Sequence, residues 1–134
     1  MSSPTAVTDR LARTLAITLA LGMMAAGCVT TGMRAGQLAE QGQDYDRAVV
    51  EYTRVLKEHP DNREARLSLD RAKLRAALEH YNRGLRLRNG GRLDEALVEL
   101  QIASELNPAS GDIDSALAET RSQLRTKVAA RVCR

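Results

Sequence analysis

Apolar residues along this chain recur at helical spacing, in blocks separated by glycine, proline and asparagine. Ala48, Val49, Tyr52, Val55 and Leu56 fall at spacings of 3, 4 and 7, which puts them on one face of a helix. Gly42-Gln43-Asp44 before them is a turn signal, with Asp44 as N-cap, and residues from Thr31 to Gly42 read as an earlier helix around Gly36. His59-Pro60-Asp61-Asn62 ends the block, because proline cannot continue a helix, and Asp61 with Glu64 gives a capping-box-like start to the next one. That next helix is predicted to run unbroken from Arg63 to about Arg88, a rod of about 39 Å at 1.5 Å per residue. Its main apolar stripe is Leu67, Leu74, Leu78, Tyr81 and Leu85; a narrower one is Leu69, Ala72 and Ala76. Asn89-Gly90-Gly91 closes it with residues that tolerate a left-handed cap. Leu93, Ala96, Leu97, Leu100 and Ala103 form a shorter helix stopped by Asn107-Pro108. Ile113, Leu117, Leu124 and Val128 line a last helix, from its N-cap Asp112 to about Arg131. No segment alternates apolar and polar residues with β-branched enrichment, so the expected fold class is all-α.

The pattern occurs twice, at one fixed offset. Gly36, Asp46, Ala48 and Pro60 recur as Gly84, Asp94, Ala96 and Pro108, and Tyr45, Tyr52 and Val55 recur in kind as Leu93, Leu100 and Ala103. The shared unit resembles the tetratricopeptide (TPR) repeat, a helix–turn–helix brick of about 34 residues. The resemblance implies a short helical solenoid over residues 28–131. Repeat one covers 29–62 and repeat two covers 77–110. The offset exceeds one repeat, and the stretch 63–76 takes up the excess as extra helical turns at the front of repeat two. The helix over 112–131 caps the second repeat, as terminal helices do in solenoids. Gly36, Ala48, Tyr52, Pro60, Gly84, Ala96, Leu100 and Pro108 match the family's helix-crossing and closing positions. Small residues there let two helices approach, Tyr52 and Leu100 fill the gap to the neighbouring repeat, and the prolines close each brick. Gly32 and His80 stand where the family usually carries a large residue near the repeat start.

Stacked TPR pairs commonly hold a partner's peptide or helix on a concave face made by their first helices. By register that face is Met33, Arg34 and Gln37, then Tyr81, Asn82, Leu85 and Arg88. Tyr81 and Leu85 also lie on the apolar stripe, so core packing is the competing reading for both. Only Asn82 falls at a clamp-like position for a C-terminal carboxylate, and that mode of binding is not supported.

At 134 residues, one domain is the natural count, and with no Trp, no Phe and three Tyr its core must be aliphatic. The N-terminal 1–27 read as a signal peptide: Arg10 and Arg13 precede an apolar run from Thr14 to Ala26. That run of about 13 residues is shorter than the 20 or so a bilayer span requires. Ala25-Ala26-Gly27-Cys28 resembles a bacterial lipobox, which implies cleavage before Cys28, diacylation of its sulfur and a membrane anchor. Val29 in place of Asp after the cysteine resembles the outer-membrane address, facing the periplasm. Cys133 then lacks an intrachain partner, and it is either a tail residue or a cross-link between copies.

The net charge is only +3, but it is unevenly placed. Between Arg63 and Arg92 nine Arg and Lys face three acids, and no acid follows Glu119. Such a surface is either a solvated face or an attraction for anionic lipid or an acidic protein. Nucleic acid is not expected, since no aromatic residues are interleaved for stacking. His59 and His80 lack ligands at metal spacing, no phosphate loop or nucleophile elbow occurs, and neither an enzyme nor a cofactor is expected.

Lipobox, TPR-like units and a basic linking helix together resemble pilotin-type lipoproteins, or the N-terminal TPR segment of secretin-family proteins of type II secretion and type IV pili. The implied role is a protein–protein interaction scaffold for a secretin or another envelope complex. The alternatives are a lipoprotein regulating cell-wall enzymes and an N-terminal fragment of a longer secretin-like protein. Since two repeats make a small solenoid, a partner or a second copy is expected on part of the Leu67–Leu85 stripe.

Overall fold

The computed structural model describes residues 31–132. The signal peptide expected over 1–27, the lipid site expected at Cys28, and Cys133 lie outside the described residues. Within them the chain is all-helical: α1 over 31–41, α2 (Tyr45–Glu58), α3 (Arg63–Asn89), α4 (Leu93–Leu106) and α5 (Gly111–Val132). No described helix is long and apolar enough to cross a membrane.

The helix ends follow from local chemistry. Asp44 caps α2 by accepting from the Arg47 amide at 3.1 Å, and the helix stops where Pro60 would interrupt it. The cap of α3 is Asn62 rather than the expected Asp61; its Oδ1 accepts from the Ala65 amide at 3.0 Å. Both side chains can cap, but Asn62 is the one in extended conformation immediately before the helix. α3 is continuous for 27 residues, about 40 Å. α5 begins at Gly111, so Asp112 lies in its first turn, where a carboxylate suits the helix dipole, rather than at the cap.

The recurrence extends to the backbone itself. Gly42, Gln43 and Asp44 donate to the carbonyls of Leu38, Glu40 and Ala39; Gly90, Gly91 and Arg92 repeat this with Arg86, Arg88 and Leu87. Gln43 and Gly91 both have positive φ, 59° and 75°. Glycine adopts this conformation freely, whereas at Gln43 the α1–α2 turn imposes it on a side chain that resists it. The α2–α3 turn recurs as the α4–α5 turn, with His59 and Asn107 bonding Val55 and Ala103.

The repeated object is therefore a unit of three helices, and α3 belongs to both copies. Its front half packs with α1 and α2 around Met33, Ala39, Tyr52, Val55, Ala65 and Leu69. Its back half packs with α4 and α5 in two clusters, around Ala77, Ala103 and Ile113 and around Leu100, Ala116 and Leu117. Residues 63–76, expected as turns added to repeat two, serve as the third helix of the first unit. Their buried members Ala65, Ser68, Leu69 and Ala72 correspond to Ile113, Ala116, Leu117 and Thr120 at the start of α5, which are also buried.

The stripe expectation for α3 is reversed from Leu67 to Leu78. Leu67, Leu74 and Leu78 point outward, and the narrower stripe of Leu69, Ala72 and Ala76 is the one that packs. Small side chains let α2 approach closely, so the alanine-rich face gains the tighter contact. Tyr81 and Leu85 do pack, against α5. Val128, expected in line with the core residues of α5, is half exposed.

Candidate functional site

Close helix approach sets the shape of every surface here. A Cβ built on Gly36 would stand 2.4 Å from the Tyr52 ring, and one on Gly84 would stand 2.7 Å from Leu100 Cγ. Glycine is required at both positions because the side chain facing it already fills the space. Ala48 and Ala96 are fully buried, as are Tyr52 and Leu100. Tyr52 is shared by α1, α2 and the front of α3, and Leu100 also reaches Ala116 and Leu117 of α5. Pro60 and Pro108 are exposed in the turns.

Gly32 and His80, the departures from the family pattern, are counterparts with complementary neighbours. A Cβ on Gly32 would meet Val55 Cγ2 at 2.6 Å. In the second unit the large residue is His80, and Ala103 replaces Val55.

His80 also joins the units. Its Nδ1 lies 2.6 Å from Glu99 Oε2 of α4, and its Nε2 lies 3.1 Å from Asp46 of α2. Carboxylates only accept, so both hydrogen bonds form together when both ring nitrogens carry protons. Sequence separations of 19 and 34 hid this link. No residue spacing along the chain signals it.

Of the residues expected on one concave face, Tyr81, Leu85 and Arg88 share one cleft and the others lie elsewhere. Met33 is buried in the first core cluster, and Tyr81 and Leu85 are half-buried against α5. Arg34 is exposed on α1. Asn82 lines a shallow cleft with Glu79, Arg83 and Arg86. Gln37 lines an open cleft of about 350 Å³ between α1 and α3, with Glu40, Gln41, Tyr45, Arg71 and Arg75. Arg88 lines its counterpart between α3 and α5, about 220 Å³, with Tyr81, Leu85, Asp112, Ser115 and Glu119.

Each of these two clefts is floored by one ion pair, of opposite polarity. Glu40 of α1 accepts from Arg71 Nε and Nη2, both at 3.2 Å, and from the Tyr52 hydroxyl at 2.9 Å. The Arg71 hydrogen bonds hold the Glu40 carboxyl below the usual carboxylate range. Burial, then the Glu40 hydrogen bond, pushes the Tyr52 phenol up to about 12. In the second cleft Arg88 donates to Glu119 at 2.7 Å. Arg75 lies 5.6 Å above the Tyr45 ring centre in a cation–π contact.

The basic face expected on α3 is largely engaged. Arg71, Arg83, Arg88 and Arg92 pair with Glu40, Glu99, Glu119 and Glu95, and Arg66 donates to the Pro60 carbonyl. On α5, Lys127 donates to the Gly91 carbonyl at 3.0 Å. A further groove between α4 and α5, about 350 Å³, is mainly apolar, lined by Leu97, Val98, Ile102 and Leu117. The arrangement offers open, mixed polar and apolar contact surfaces between neighbouring helices. No protein-family model and no curated protein matches the chain.

Proposed function

We propose that this chain is a non-catalytic, TPR-like helical-repeat scaffold that binds other proteins. Lipid on Cys28 tethers it to the periplasmic face of the bacterial outer membrane, where it assists assembly of a secretin-type secretion or pilus channel. The observation that supports the scaffold reading is the duplicated glycine contact, Gly36 on Tyr52 and Gly84 on Leu100. It brings α1 close to α2 and α3 close to α4, and clefts between α1, α3 and α5 have ionisable groups that pair across helices. The tether reading rests on the residues before Cys28, eight positions ahead of Gly36, which set the first unit close to the membrane.

Two measurements test the proposal. Mass spectrometry of protein taken from envelopes should show an N-terminus at Cys28 carrying acyl chains, with Cys28→Ala releasing it to the soluble periplasm. Affinity capture from detergent-solubilised envelopes should enrich secretin subunits. An unacylated, soluble wild-type protein defeats the tether, and capture of cell-wall synthases in place of secretin defeats the channel role.

A further inference from the structure

The stretch of α3 from Leu67 to Leu78 carries exposed leucines in a row. Leu67, Leu74 and Leu78 are 69%, 56% and 58% exposed, at steps of 7 and 4 that keep them on one line of the helix. Scattered exposed leucines are ordinary, but an aligned row on one helix marks a contact surface.

The internal repeat provides a control. The equivalent positions in the matching helix α5 are Ser115, Ser122 and Thr126, and all are exposed. The same unit thus folds with hydroxyl residues at these places. Leucine there serves something other than the packing of the unit.

The row continues into Tyr81 and Leu85, where a helix already lies on it: α5, through Ile113, Ala116 and Leu117. The molecule itself shows what kind of element this line of α3 accepts. Arg71 stands within the bare part of the row and Arg75 on its edge, held in place by Glu40 and Tyr45 respectively. Held cations lose little freedom on meeting a carboxylate.

Charge decides against a second copy. Antiparallel α3 helices related by a twofold axis set the same edge of each copy side by side, bringing Arg75, which rests on Tyr45 while Glu40 offsets the charge of Arg71, against its own kind. A parallel pair meets α5, which occupies the continuation of the row in both copies. We propose that Leu67, Leu74 and Leu78 form the docking ridge for an amphipathic helix of a partner protein, with aliphatic residues on one face and Asp or Glu along the edge that meets Arg71 and Arg75. The proposal rests on the scaffold reading and names its contact surface.

The test is photo-crosslinking in living cells with full-length protein carrying benzoylphenylalanine at 67, 74 or 78. Positions 122 and 126 serve as controls, and Gln37, Asn82 and Ser115 report on the clefts. The expected result is a protein adduct at the three ridge positions and none at the controls, with the cross-linked peptide an acidic amphipathic helix. A further probe at 63, one helical turn before Leu67, should form the same adduct, and replacing the row by its counterpart residues, Leu67→Ser with Leu74→Ser and Leu78→Thr, should cut that adduct at least tenfold. Thermal unfolding of that variant should match the wild type, and Arg75→Glu alone should also weaken the adduct. Adducts to lipid, to a second copy, or to a peptide without acidic residues overturn the ridge, as does an adduct unaffected by the triple change. Adducts at Gln37, Asn82 or Ser115 alone leave the scaffold standing and overturn the ridge; no adduct at any position overturns both.

Discussion

Arg88 donates to Glu119 across α3 and α5 at 2.7 Å, and in the first unit the same two places hold Glu40 and Arg71 with the charges exchanged. A helix from one unit packed into the other would therefore bring Glu40 against Glu119, or Arg88 against Arg71. Like charges at those points oppose mispairing of two otherwise similar units, including exchange between copies.

Reversing one pair tests that role. Glu40→Arg should cost about 1–3 kcal/mol, since it repels Arg71 and removes the acceptor of the buried Tyr52 hydroxyl. Adding Arg71→Glu should restore part of the loss, because the ion pair returns while the hydroxyl keeps no equivalent acceptor. Urea unfolding of the single and double variants gives the coupling directly; strict additivity would sink the claim.

The glycine contacts predict an asymmetry among Gly→Ala changes. Gly36→Ala and Gly84→Ala should each destabilise by about 1–3 kcal/mol, because the new methyl enters space held by Tyr52 or Leu100. At Gly90, where φ is −79° and a Cβ would meet nothing closer than 3.5 Å, alanine should be neutral or stabilise by up to about 1 kcal/mol. Thermal melts of the three variants decide it, and equal losses at all three sites would refute the packing account.

Opposite ends of the pH scale act on one hydrogen-bonded group. Glu40 has a folded-state value below its ordinary 4.5, so its contribution is present above that value and lost as pH falls through the folded one. Tyr52 is raised from 10.0 to about 12, so its contribution is complete below 10 and lost as pH rises toward 12. Stability measured against pH should fall less steeply on the acid side in Glu40→Gln and less steeply on the alkaline side in Tyr52→Phe. Unchanged slopes in both variants would separate these groups from the pH response.

His80 should matter to the junction more than its place in one helix suggests. His80→Ala removes the links to Asp46 and Glu99 and should cost about 2 kcal/mol, with hydrogen-exchange protection lost in α2 and α4 near Asp46 and Glu99. Loss confined to α3 would show that the side chain serves packing alone.

Much of the fold was legible along the chain. Helix limits at Asp44, Pro60, Gly91 and Pro108 depend on bonds reaching three to five residues, and the chain writes them locally. The recurrence of Gly36 and Tyr52 as Gly84 and Leu100 was legible too, because the chain states it twice, but that each glycine faces the large residue of its own helix pair was not. The α3 stripe was not. Leu67, Leu74 and Leu78 look more like a core face than Leu69, Ala72 and Ala76 do, since hydrophobicity ranks leucine above alanine. Which face turns inward depends on how closely α1 and α2 come, and that is set by Gly36 and Tyr52 from outside the helix.

Short-range chemistry dictates the helices, their turns and their recurrence from Gly36 to Gly84, because period and capping act over a few neighbouring residues. Packing between distant segments settles the rest: α3 is shared between two three-helix units, His80 joins them, and a leucine row faces outward. Those outcomes depend on contacts between residues 19 to 36 positions apart, whose partners are chosen by packing volume and charge rather than by spacing along the chain.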